Sequence, residues 1–149
     1  MTDIPKSALI LGLAGVLPFL WGALTTVLPS VASAALPWVG PRLIGPYVQL
    51  AYGIVILSFM SGVLWGFATR AGERQALGYA LSVLPALWAF FMVGGGTQNA
   101  AIMLIVGFLG LLALDWGFAR LGLAPAWWME LRVLLTTLVV LSLSVGILI

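Results

Sequence analysis

The apolar positions gather into long runs at 7–29, 47–69, 76–93, 99–118 and 131–149. Each has about the length, roughly 18 or more residues, that carries a helix across a hydrocarbon core of about 30 Å. None shows the alternation, in segments of about ten residues, that marks an outer-membrane barrel strand. The pattern therefore predicts a bundle of membrane-spanning helices, each pairing its own backbone amides because lipid offers them no partners.

Punctuation along the chain refines this reading. The third run ends at Gly94, Gly95 and Gly96, where backbone entropy disfavours helix. Pro18 and Pro85 lie inside runs and predict kinks, because each removes one backbone donor. The longest connection, 30–46, mixes Pro37, Pro41 and Pro46 with Trp38, Val39, Leu43 and Ile44. Its prolines predict an irregular segment and its apolar residues a position at the membrane interface. The other connections are too short to fold separately, so residues 1–149 are expected to form a single transmembrane helical domain, without the internal repeat of many transporters.

Composition strengthens the assignment. Of 149 residues 63% are hydrophobic and 7% charged, against about 25% charged in an average soluble domain. Mean hydropathy is +1.21. The absence of Cys and His excludes disulfides, Cys-ligated clusters, His-ligated haem, the usual zinc sites and thiol or imidazole catalysis. The five Met residues have no paired spacing for copper or haem, so no cofactor and no metal is expected. Six basic residues against four acidic ones are too scattered for a nucleic-acid footprint.

Charge placement predicts orientation. With five crossings, Lys6, Arg70, Arg74, Arg120 and Arg132 share one side and Arg42 stands on the other. The positive-inside rule then puts the N-terminus in the cytoplasm and the C-terminus in the periplasm. Trp65, Trp116, Trp127 and Trp128 would form an inner aromatic belt, with Trp38 and Tyr47 in the outer one. Lys6 before an apolar stretch, with Ala32, Ser33 and Ala34 after it, imitates a signal peptide. The apolar part is about twice the length of a typical h-region, so the segment is expected to remain as a span.

A few residues stand out within the runs. Ser58, Gly62 and Gly66 form a small-residue stripe at four-residue spacing, suited to a close helix contact, with Gly107 and Gly110 as its expected facing surface. Asp115 is the one carboxylate inside a run. Arg132 lies at similar depth across the following hairpin, predicting an Asp115–Arg132 ion pair that clamps it, with Arg120 a rival partner. A lone carboxylate near the interface makes no relay across a bilayer. Thr136, Thr137, Ser142 and Ser144 are expected to bond to their own helix backbone. Trp88, Phe90 and Phe91 are expected to pack or to face lipid.

The blocks LGLAGVLPF, YGIVILSFMSGVLWG, SVLPALWA and DWGFARLGLAPAWWMELRVLLTT resemble the transmembrane protein 69-like family, a domain of unknown function (DUF3429) with bacterial and mitochondrial members. The resemblance covers nearly the whole chain and is most specific in the second run and between Asp115 and Arg132. It implies five helices and an inner-membrane location, and supplies no activity. The family often carries His or Arg before the tryptophan of the second helix, where this chain has Leu64, so a family role needing a polar group there does not carry over.

The expectation that follows is a non-enzymatic protein of the bacterial inner membrane, an accessory subunit or assembly factor packing against a larger respiratory or photosynthetic complex. Its partners would be membrane lipids and other membrane-protein subunits. The alternative is a small proton- or ion-linked transporter or channel using Asp115. A membrane enzyme ranks below both, since no two of Asp3, Glu73, Asp115 and Glu130 are spaced for a shared catalytic site.

Overall fold

The computed structural model describes residues 3–149. Among them there is helix and no strand, in the order α1 (Lys6–Ala14), α2 (Leu17–Val27), α3 (Pro29–Val39), α4 (Pro46–Ala68), α5 (Gln75–Ser82), α6 (Leu84–Met92), α7 (Thr97–Arg120) and α8 (Trp128–Leu148). Two short 3₁₀ turns, Pro41–Leu43 and Gly72–Arg74, precede α4 and α5. Among the described residues five spans are long and apolar enough to cross a membrane: Lys6–Val27, Pro46–Ala68, Gly72–Met92, Thr97–Arg120 and Trp128–Leu148.

The two intramembrane prolines divide the first and third spans. Pro18 stands in the first turn of α2 and Pro85 in that of α6, positions where the missing amide hydrogen costs least. The break at Pro85 leaves a backbone donor for a neighbour to take up: the Ala86 amide donates to Ser61 Oγ on α4 at 2.9 Å. A membrane kink is thus satisfied by a hydroxyl from the adjacent helix.

Residues 30–46 depart from the irregular segment expected. Pro29 opens α3 in its first turn, and Gly40, at φ 78°, closes it. Between them Ala32, Ala34 and Ala35 favour helix, and Pro37 sits in the last turns, where losing one hydrogen bond does not stop a helix already begun. At 11 residues α3 is too short to span, and none of its residues is buried.

The centre of the bundle is a continuous apolar core. Phe19, Leu57, Leu64, Leu104, Phe108, Leu111 and Leu143 are all within 1–2% of complete burial. Phe19 sets its ring edge-to-face against Phe108, with centroids 5.8 Å apart, which ties α2 to α7. The α7 helix packs against α4, α6 and α8, whereas α1 leans on α8. Close approach needs glycine at several places, Gly22 and Gly107 among them. A Cβ on Gly22 would come within 2.4 Å of Gln49 Cγ and 2.8 Å of the Gly45 carbonyl. On Gly107 it would meet Trp88 Cδ1 at 2.8 Å and Leu57 Cδ1 at 2.9 Å.

Candidate functional site

Apart from Ser61 and Ser82 at the contact of α4 with the third span, the polar groups buried in this apolar frame gather in two clusters at opposite ends of the bundle. At the end where α7 passes into α8, Asp115 is completely buried and Arg132 is 6% exposed. Arg132 Nε donates to Asp115 Oδ2 at 2.7 Å, and the Trp128 indole N–H donates to Asp115 Oδ1 at 3.0 Å. Asp115 lies five residues before the end of α7, and Arg132 four after the start of α8, so the pair closes the α7–α8 hairpin from inside. In this low-dielectric setting two charges are tolerable only when paired and hydrogen-bonded. Each oxygen of the carboxylate thus has a protein donor, and the group ties α7 to α8. Arg120 is not its partner: its guanidinium stands 5.0 Å over the Trp116 ring. At the same end of the bundle Arg70 Nη2 donates to the Leu123 carbonyl, tying the end of α4 to the α7–α8 connection.

The cluster has a second feature. Arg132 Nη2 and Thr136 Oγ1 are both buried, and neither finds a hydrogen-bond partner among the described residues. Three of the four α8 hydroxyls expected to turn back on their own helix do so: Thr137 to the Val133 carbonyl at 2.7 Å, Ser142 to Leu138 at 2.8 Å and Ser144 to Val140 at 2.7 Å. Thr136 does not, although it is 3% exposed.

At the other end, Gln49 is 2% exposed at the junction of α2, α4 and α8. Its amide donates to the Phe19 carbonyl at 2.8 Å and to the Ser142 carbonyl at 3.1 Å. Thr25 Oγ1 accepts from the Gly45 amide at 2.7 Å, and the Trp21 indole donates to the Leu43 carbonyl at 2.8 Å. The turn these bonds hold requires Gly45, whose φ of 59° and ψ of −141° lie where a side chain is not tolerated. Sequence reasoning missed this latch. Its signal was a lone Gln within an otherwise apolar run, a residue that lipid would not accept.

The small-residue stripe does not do what its spacing suggested. Ser58, Gly62 and Gly66 all face outward, and a Cβ on Gly62 or Gly66 would meet nothing within 4 Å. The α4 helix instead buries the side carrying Gln49, Gly53, Leu57, Met60, Ser61, Leu64 and Ala68, where the larger apolar groups fill the core. Gly107 is packed beneath Trp88 and Leu57, while Gly110 is exposed, so the two sets of glycines do not meet.

Most aromatics expected at the interfaces are solvent- or lipid-facing: Trp38 is 88% exposed, Tyr47 56%, Trp116 54% and Trp65 48%. Trp127 is partly buried beside Trp128, with ring centroids 6.0 Å apart. Trp128 is drawn inward by its bond to Asp115. Trp88 also turns inward, donating to the Met103 carbonyl at 2.7 Å, whereas Phe90 and Phe91 are outward-facing.

Comparison with known proteins agrees with this architecture. A family model described as a protein of unknown function (DUF3429) matches residues 4–148. Transmembrane protein 69 of Xenopus tropicalis is 38% identical over 148 residues, covering 96% of this chain and 54% of that protein. Transmembrane protein 69 of Mus musculus is 30% identical over 150 residues, covering 97% of this chain and 57% of that protein. The chain thus spans about half the length of the curated relatives it matches. No solved structure matches.

Proposed function

The chain belongs to the DUF3429 family and is a multi-pass membrane protein, and from that premise we propose that it is a non-enzymatic inner-membrane protein, an accessory subunit or assembly factor packing against a larger membrane complex. The observation that carries this reading is the bare stripe of Ser58, Gly62 and Gly66 on α4. The helix that organises the centre of the bundle leaves its most closely approachable face unused by its own chain. Lipid gains nothing from a glycine surface, whereas a partner helix seated there gains close backbone packing.

The reading includes an orientation. Arg132 is spent in the ion pair, so the topogenic charge consists of Lys6, Arg70, Arg74 and Arg120 against Arg42. That balance still favours a cytoplasmic N-terminus. Transport through Asp115 is disfavoured by the donors that already occupy both carboxylate oxygens.

The test is co-purification in a gentle detergent with the native chain and with Gly62→Leu. The substitution fills open space and adds helix propensity, about 0.8 kcal/mol by host–guest scales, so the fold should not suffer. A membrane subunit that accompanies the native chain and is lost with the Gly62→Leu variant, at unchanged melting temperature, is the expected result. Recovery of this protein alone, of a second copy of itself, or of the same partner with both chains would overturn the reading.

A further inference from the structure

A cavity of about 450 Å³ opens between the first span, α4 and α8, with Phe108 of α7 at its base. Gly12 and Gly15 line it on α1 and its C-cap, Val55 and Phe59 on α4, and Arg132 and Thr136 on α8. Leu11, Val55 and Phe59 are 73%, 58% and 64% exposed, so the mouth lies on the lipid-facing surface and anything entering must come from the bilayer. Volumes of about 300–1,000 Å³, apolar walls and a few convergent polar groups are the usual make-up of a small-molecule site.

The polar groups decide what chemistry fits. Arg132 Nη2 and Thr136 Oγ1, the two buried polar atoms without a partner, belong to residues one turn apart on α8 that both line this cavity. An unsatisfied buried donor costs about 1–3 kcal/mol, so both gain from an acceptor placed in the cavity. The charge of Arg132 is already balanced by Asp115, and an anionic ligand would leave a net negative charge in a low-dielectric site. A neutral oxygen acceptor avoids that cost. Phe19, Tyr52 and Phe108 supply aromatic walls, with the Phe19 and Tyr52 centroids 5.4 Å apart.

We propose that this cavity is a binding site for an apolar membrane molecule bearing an uncharged carbonyl oxygen, which accepts hydrogen bonds from Arg132 Nη2 and Thr136 Oγ1. The same chemistry is offered by an isoprenoid-type quinone head and by the acyl ester of a lipid. The site is independent of the α4 stripe, and its failure would leave the docking proposal standing.

The experiment titrates the purified chain in detergent with decyl-benzoquinone, with a short-chain diacylglycerol, and with an alkylbenzene of matching length that lacks carbonyls. Binding is read by the rise in melting temperature. The native chain should show a saturable rise with one carbonyl probe and none with the alkylbenzene. Response to the quinone alone assigns a quinone head, and response to the diacylglycerol alone a lipid ester. Thr136→Val should weaken binding about tenfold, by loss of one hydrogen bond, without lowering the melting temperature of the ligand-free protein. Thr136→Ser should restore binding. Absence of a saturable response to either carbonyl probe, equal response to the alkylbenzene, or unchanged affinity of Thr136→Val would overturn the proposal.

Discussion

Gln49 and Arg132 are both polar, both buried, and both set in the membrane-spanning part of the bundle, yet their surroundings differ in a way that separates structure from binding. Gln49 joins three helices and delivers its amide to carbonyls on two of them. Both hydrogens of that amide are committed, and a Cβ on Gly22 has no room beside it. Arg132 commits Nε to Asp115 and leaves Nη2 without a partner, next to a hydroxyl that its own helix fails to satisfy and beside an open cavity. The lesson is that burial alone does not mark a functional polar residue. An unspent donor beside accessible volume is the ground on which binding at Arg132 is proposed.

This contrast can be broken by mutation, and the largest effect is expected at the ion pair. Asp115→Ala should destabilise the protein by about 3–5 kcal/mol, because it leaves the Arg132 charge buried without compensation. Asp115→Leu combined with Arg132→Leu should recover much of that loss in denaturant unfolding from micelles. Next comes Gln49→Leu, with a loss of about 1–3 kcal/mol as two hydrogen bonds between helices disappear. Ser61→Ala should cost about 1 kcal/mol by depriving the Ala86 amide of its acceptor at the α5–α6 break. The last change has the opposite sign: Thr136→Val removes a buried hydroxyl with no protein partner and should leave ligand-free stability unchanged or raised by about 1 kcal/mol. A loss at Thr136 as large as that at Gln49 would erase the distinction between the two ends.

The membrane-spanning runs were readable because lipid imposes a length and an apolar composition on any segment that crosses it. Pro18 and Pro85 were readable as kinks for an equally local reason, the missing amide hydrogen. The Asp115–Arg132 pair was also legible, since Asp115 is the one carboxylate inside a run and Arg132 lies at similar depth across the hairpin, although Arg120 was an equally local rival. What failed was the sidedness of the helices. When nearly every residue of a run is apolar, periodicity no longer separates the core face from the lipid face, and Ser58, Gly62 and Gly66 read as an internal contact although they point outward. The α3 helix was missed because proline in the first or last turn is tolerated where proline in the middle is not. The partnerless Thr136 was invisible because hydroxyl satisfaction depends on rotamer and neighbours rather than on spacing.

Both polar clusters owe their positions to five crossings that set the α2–α4 turn and the α7–α8 hairpin on opposite faces of the membrane. The chain contains no cysteine, so single cysteines at Glu73 and at Thr97, in the connections before α5 and before α7, report the two faces cleanly. In intact cells a membrane-impermeant maleimide should label Thr97→Cys and spare Glu73→Cys until the membrane is opened. Labelling of both sites from outside, or of neither before lysis and both after it, would contradict the five-span arrangement.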